Sequence, residues 1–170
     1  MKSVTRYGPE YWDKYGVYRT PIAFNLALVV LLRPLLIWAF SALTRRPDLD
    51  LMSLFFESKQ HFFVAIGIAC IALIPTVVFS LRRPTSSPKL AVVWRYMRLP
   101  LILTAVFDLA WLILQAGKTH YSFSPYIAVQ IVLVSWVLLY LIKSRYLSCF
   151  FGDWPLPVEE HKTEVNKREN

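Results

Sequence analysis

The stretch Leu28–Phe40 reads LVVLLRPLLIWAF. It is apolar enough to cross a membrane, yet it carries Arg33 near its middle and Pro34 directly after it. An arginine at the centre of a membrane helix costs roughly 2.5 to 3.5 kcal/mol on an insertion scale. The fold therefore turns on what holds that charge.

The chain around this stretch has the composition of a membrane protein. Of its 170 residues, 56% are hydrophobic, and the mean hydropathy is +0.43. That is too apolar for a soluble globule of this size, so the excess must face lipid. The formal charge is +8, from 19 Lys+Arg against 11 Asp+Glu. A basic chain is drawn to nucleic acid or to anionic headgroups, and the long apolar runs decide for lipid and against nucleic acid. The two cysteines, Cys70 and Cys149, offer neither a disulfide framework nor a zinc-ligand spacing. About twenty polar and aromatic residues precede the first apolar run, which is too long for a signal-peptide core, so that run is expected to stay in the chain. No lipidation motif is read, and attachment is expected through spanning helices.

The expected fold is all-α: a polytopic membrane protein with four transmembrane helices in a bundle. The spans are 21–43, 61–81, 99–116 and 124–142, each near the length that crosses a hydrocarbon core of about 30 Å. The runs lack the alternation of a barrel strand. Between them lie an outer loop 44–60, a basic loop 82–98 and a short outer loop 117–123, flanked by an aromatic-rich segment 1–20 and a tail 143–170 that is disordered at its end. Fourteen of the 19 Lys and Arg fall in the N-terminal segment, the 82–98 loop and the tail. The positive-inside bias then puts both termini in the cytoplasm. The 82–98 loop holds Arg82, Arg83, Lys89, Arg95 and Arg98 and no acid, which makes it the expected contact for anionic headgroups at the cytoplasmic face.

Three peripheral segments carry further expectations. In GPEYWDKYG, residues 8–16, proline stands near a helix start and glycine at its end; Tyr7, Tyr11, Tyr15 and Tyr18 would share one face of a short helix at the bilayer interface. The outer stretch RRPDLDLMSLFFESKQ, residues 45–60, mixes apolar and acidic residues and is expected to lie on the membrane surface. From Gly152 onward the chain is proline-punctuated and then highly charged, a composition that predicts disorder.

Depth along the spans pairs the charges. Entering from the cytoplasm, Arg33 lies about 18 Å deep and Asp108 about 14 Å deep at the helical rise. Two isolated charges at that level would be costly, so Arg33 and Asp108 are expected to face each other, the guanidinium forking onto the carboxylate. Pro34 cannot donate to the carbonyl of Val30, and Arg33 is the group able to satisfy it. Thr104, Asp108 and Gln115 share a stripe of the third span with Trp111 beside it, and Asn25 and Gln130 are expected to join them in contact with protein or water. Ala65, Ala69 and Ala72, with Gly67 nearby, allow close approach of the second span, and Pro75 allows a kink.

No soluble-enzyme motif appears: there is no glycine-rich phosphate loop, no nucleophile elbow and no H-E-x-x-H. The expected function is accordingly a non-enzymatic membrane subunit, scaffold or accessory factor with a partner membrane protein or a second copy. The alternative is a small oligomeric transporter or ion pathway through Arg33 and Asp108. A haem- or quinone-binding anchor is the weaker reading: His61 and His120 fall at one membrane face, yet each stands at a span end and no carboxylate is assigned behind either, so no cofactor or metal is expected.

Four stretches together resemble a known family. YWDKYGVYRTPIAF (11–24), LLRPLLIW (31–38), LMSLFFESKQHFFVAIGIACIALIP (51–75) and SRYLSCFFGDWP (144–155) are similar, in order and spacing, to the YfeZ-like family of small bacterial inner-membrane proteins of unknown function. The resemblance implies an inner-membrane location and supplies no activity, ligand or functional residue.

Overall fold

A computed structural model describes residues 11–13, 17–43, 56, 59–83, 88–118 and 125–155. Among them the chain is all-helical apart from one isolated antiparallel bridge. The helices are α1 (Ile22–Leu31), α2 (Arg33–Leu43), α3 (Lys59–Ser80), α4 (Pro88–Tyr96), α5 (Arg98–Lys118), α6 (Pro125–Lys143) and α7 (Arg145–Gly152). The expectations for the 45–60 stretch, apart from Phe56 and the start of α3, and for the end of the tail fall outside the described residues.

Three stretches are long and apolar enough to cross a membrane: α3, α6, and Lys89–Gly117, which joins most of α4 to α5. The first expected span is not one helix. It breaks at Leu32 into α1 and α2, which meet at 68°. The cause is local: Pro34 has no N–H for the Val30 carbonyl, its ring crowds that turn, and Leu32 takes φ −89° and ψ 3°, outside the helical basin.

α5 lies between α3 and α6, and α1 packs on α6 and α3. The buried residues of α6 (Ile127, Gln130, Val134, Val137, Leu141) recur at intervals of three and four, and those of α5 (Leu101, Thr104, Asp108, Leu112, Gln115) do the same, with Ala105 beside Thr104. Each helix thus presents one narrow seam to its neighbour. Only about a third of each spanning window is buried within the chain. The rest is apolar and exposed, Leu139 and Leu114 among it. Small residues let the helices approach where no hydrophobic force acts between them: Ala65, Ala69 and Ala72 are buried on α3. Gly67 does not join them; it faces outward, and a Cβ placed there would meet nothing within 4 Å.

Two helices stand where loop and tail were expected. α4 lies inside the basic 82–98 segment and α7 inside the 143–170 tail, and the two pack together. Their apolar residues account for them: Trp94 is fully buried with its indole N–H donated to the Phe150 carbonyl at 3.1 Å, and Leu147, Phe150 and Phe151 are buried on α7. Phe24, Phe79, Trp94, Phe150 and Phe151 form one ring cluster, with Trp94 and Phe151 centroids 4.7 Å apart. Ser144 caps α7 by accepting from the Leu147 N–H.

The N-terminal aromatic segment is likewise not a helix where it is described. Trp12 and Tyr18 form an antiparallel bridge, and the Arg19 N–H donates to the Tyr11 carbonyl at 2.8 Å. Tertiary partners take the backbone groups a helix would have used: the Tyr18 N–H donates to Asp153 Oδ2 at 3.0 Å, and the Tyr146 hydroxyl donates to the Arg19 carbonyl at 2.6 Å. Tyr11 and Tyr18 still share one environment, both packed on the Tyr146 ring.

This cap carries a measurable share of stability. Trp94→Ala is expected to cost about 3 to 5 kcal/mol, the range for deleting a fully buried large ring, and Trp94→Phe, which keeps a ring but loses the N–H, distinctly less. Thermal unfolding of the detergent-solubilised protein should show this order; equal and small losses would mean that the cluster is peripheral to the fold.

Candidate functional site: the intramembrane ion pair

Arg33 is the first residue of α2, immediately after the break, and its position lets one guanidinium serve three elements. Nη1 donates to Asp108 Oδ2 at 2.6 Å and Nη2 to Asp108 Oδ1 at 3.0 Å, a bidentate fork onto the carboxylate of α5. Nε donates to Gln130 Oε1 of α6 at 3.1 Å, and Nη1 also donates to the Val30 carbonyl at 3.1 Å. The carbonyl released by Pro34 is therefore taken up by the side chain next to that proline. The side chains are 15% and 6% exposed, so the pair sits in an environment where an unpaired charge is expensive.

The register of the bundle explains why these residues meet. At the other end of α5, Arg98 donates from Nε and Nη2 to the Leu141 carbonyl, from Nη2 to the Ile142 carbonyl and from Nη1 to Ser148 Oγ. It closes the last turn of α6, whose carbonyls have no partner within the helix. Measured from that contact at the helical rise, Asp108 lies about 15 Å along α5 and Gln130 about 17 Å along α6. One arginine at the bundle end and one at its middle thus fix the same alignment of the two helices.

The other polar residues divide into separate arrangements. Thr104 is buried but satisfies itself, donating to the Pro100 carbonyl at 2.8 Å. Gln115 is buried and hydrogen-bonds His61 Nδ1 of α3, with Trp111 edge-on to the His61 ring. Asn25 does not belong to this set: it is exposed on the first turn of α1. His120 lies outside the described residues, and among those described no cluster of His, Cys, Asp and Glu could hold a metal ion.

A second charged centre escapes sequence reasoning, in which Arg82 is an orientation charge and one of the expected headgroup contacts; the structure turns it inward instead. Its Nη1 donates to the Tyr18 carbonyl at 3.3 Å and its Nη2 to the Asp153 carbonyl at 3.2 Å, while the guanidinium carbon lies 4.6 Å from the Phe150 ring centroid. Burial lowers its pKa, opposed by the negative charge of Asp153 and, more weakly, of Asp13. The signal that points to it is the aromatic density of residues 146–154, legible only once α7 is known to fold back.

Three apolar stretches of spanning length, each only about a third buried, with a largely buried ion pair joining one of them to α2, define a polytopic α-helical membrane protein. The chain belongs to the family described as a protein of unknown function (DUF2919), whose model matches residues 7–153. It is 27% identical over 154 residues to the inner membrane protein YfeZ of Escherichia coli (strain K12), covering 89% of this chain and 97% of that protein. The resemblance drawn from the four quoted stretches is met by both findings. No solved structure matches the chain.

Removing one partner of the pair should cost far more than removing both. Asp108→Ala leaves Arg33 uncompensated and is expected to destabilise by about 3 to 5 kcal/mol, whereas Arg33→Leu with Asp108→Leu should recover most of that. Yield and unfolding midpoint in mild detergent report the difference; a double variant as damaged as the single one would refute pairing as the reason for these residues.

Proposed function

We propose that the protein is a non-enzymatic subunit, scaffold or accessory factor of the bacterial inner membrane, with four spans, both termini in the cytoplasm, and Arg33–Asp108 acting to fix the bundle's register. The observation that carries this reading is the closure of the site: the carboxylate is forked, and the remaining guanidinium contacts go to a carbonyl and an amide of the same protein. Four of the five guanidinium N–H donors and both carboxylate oxygens are thus engaged within the protein, which leaves little of the pair for a substrate. The location draws on the relative's printed name, and the exposed apolar surface leaves room for a membrane partner or a second copy.

The fourth span is the bent pair. At the helical rise α1 is about 15 Å long and α2 about 16 Å. Bent by 68°, they reach about 26 Å across the membrane when both halves tilt equally, close to the roughly 27 Å of a thin bilayer. The charge bias supports the orientation, and the basic residues at the α4–α7 end, Arg83, Lys89, Arg95, Lys143 and Arg145, would then meet the anionic headgroups of the cytoplasmic leaflet.

The alternative, a small oligomeric proton or ion pathway, rests on one observation: Asp108 and the Gln115–His61 contact occupy the same buried stripe of α5. Liposomes separate the two. Under the structural reading, wild-type protein passes no more protons or monovalent ions than empty vesicles. Flux that Asp108→Asn abolishes without loss of folding would establish the pathway instead.

Orientation has its own test. With Cys70 and Cys149 replaced, a single cysteine at Arg145 should react with an impermeant maleimide only in opened or inverted membranes. Labelling of intact spheroplasts would reverse the topology.

A further inference from the structure

The α4–α7 end holds a groove of about 260 Å³ that the ion pair does not use. Ala91, Val92, Arg95 and Tyr96 form one wall, from α4; Phe151, Gly152, Asp153 and Trp154 form the other, from the end of α7 and the residues after it. We propose that this groove binds the headgroup of an anionic phospholipid, its phosphodiester on Arg95 and one acyl chain along the outer face of α4 and α5. The inference rests on the proposed meeting of this end with anionic headgroups and names the place where one is held.

Three observations carry it. The first is charge. Asp153 is occupied from within: its Oδ2 accepts the Tyr18 N–H, and Arg82 lies close enough for their charges to interact. Arg95 is exposed, and among the described residues it has no ion pair or hydrogen bond. The groove therefore offers a guanidinium that is not tied to the Asp153 carboxylate on the facing wall, and its fork matches two phosphate oxygens. The second is an unsatisfied donor in the same wall: the indole Nε1 of Trp154 is buried without an acceptor. A buried N–H without a partner is costly, and a small turn of the indole toward the groove would bring it to a phosphodiester oxygen.

The third is position. Arg98 is tied to the last carbonyls of α6, which marks the end of the apolar span. Arg95 stands one helical turn beyond it, about 4.5 Å further out, at headgroup level. From the groove wall, Val92, Tyr96, Leu99 and Leu103 follow at intervals of four, three and four, all exposed, as a strip leading down α4 and α5. A soluble phosphate has no use for that strip, and an acyl chain does. The groove is smaller than the roughly 300 Å³ at which cavities for drug-sized ligands begin, a size that suits a headgroup whose tails lie outside.

The test uses the full-length chain in neutral detergent, with phosphatidylglycerol adducts counted by native mass spectrometry. Phosphatidylethanolamine, diacylglycerol and inorganic phosphate serve as comparison ligands. The wild type should retain phosphatidylglycerol and hold diacylglycerol and inorganic phosphate no better than background. Arg95→Ala should weaken retention about tenfold, as loss of a charge-assisted contact does. Gly152→Leu, at a groove-lining position, should abolish it by occupying the groove; a Cβ at Gly152 meets nothing within 4 Å, and an unchanged unfolding temperature is required to show that the fold is spared. Arg145→Ala, outside the groove, should leave retention unchanged. Equal losses from Arg95→Ala and Arg145→Ala, with none from Gly152→Leu, would overturn the groove and leave a diffuse basic face in contact with lipid. No preference for phosphatidylglycerol over phosphatidylethanolamine would overturn both readings, and tight binding of inorganic phosphate alone would assign the groove to a soluble anion.

Discussion

The bundle is organised around one requirement: a guanidinium buried among apolar helices must have its donors met by the protein itself. Arg33 meets it with partners from three places, the Asp108 carboxylate, the Gln130 amide and the Val30 carbonyl. Each partner fixes something different. Asp108 sets the height of α5 against the break between α1 and α2; Gln130 ties α6 to the same level; Val30 anchors the side chain to its own broken turn. Helix packing in lipid lacks the hydrophobic driving force that aligns helices in water. A polar contact with one satisfactory geometry therefore carries more of the burden of register than the apolar seams around it.

At the α4–α7 end the chemistry changes. It is held by buried rings around Trp94 rather than by an ion pair. The two regimes meet at Arg98, which ends α6 by taking its free carbonyls and reaches Ser148 on α7. An arginine there suits the helix dipole as well as the carbonyls, because the C-terminal end carries the partial negative charge. The basic residues that give the sequence its orientation signal are consequently of two kinds. Arg82 and Arg98 are structural cross-braces, while Arg83, Lys89, Arg95, Lys143 and Arg145 are exposed.

This division accounts for what the sequence disclosed. The all-helical, membrane-spanning character was legible because an apolar run of about twenty residues matches the thickness of a bilayer and exceeds what a small soluble core can bury. Arg33, Asp108 and the role of Val30 were legible because an intramembrane charge and a helix proline each leave polar groups that only a few neighbours can satisfy. Asn25 does not join the buried set because it stands on the first turn of α1, where water or headgroups satisfy an amide; its polarity alone could not show that. The Gln115–His61 contact was not legible, since each residue is ordinary near a span end when taken alone. α4 and α7 were hidden by their size: nine and eight residues long, they are too short and too charged to announce themselves by hydropathy. They form because tertiary packing on Trp94 and Phe150 supplies what local propensity does not.

The break at Leu32 follows from the same constraint that places the arginine. An unbroken helix would leave Arg33 with its own Val30 carbonyl already bonded. Pro34 removes one backbone donor, and Arg33 begins the second helix directly after the 68° bend, within reach of α5 and α6. Lysine would not serve at that position. Its ammonium is a point donor, unable to fork onto two carboxylate oxygens while reaching an amide and a carbonyl in other directions. Proline and arginine therefore act as one unit: the proline frees an acceptor and opens the turn, and the arginine uses both the acceptor and the opening to cross-link three helical segments inside the membrane.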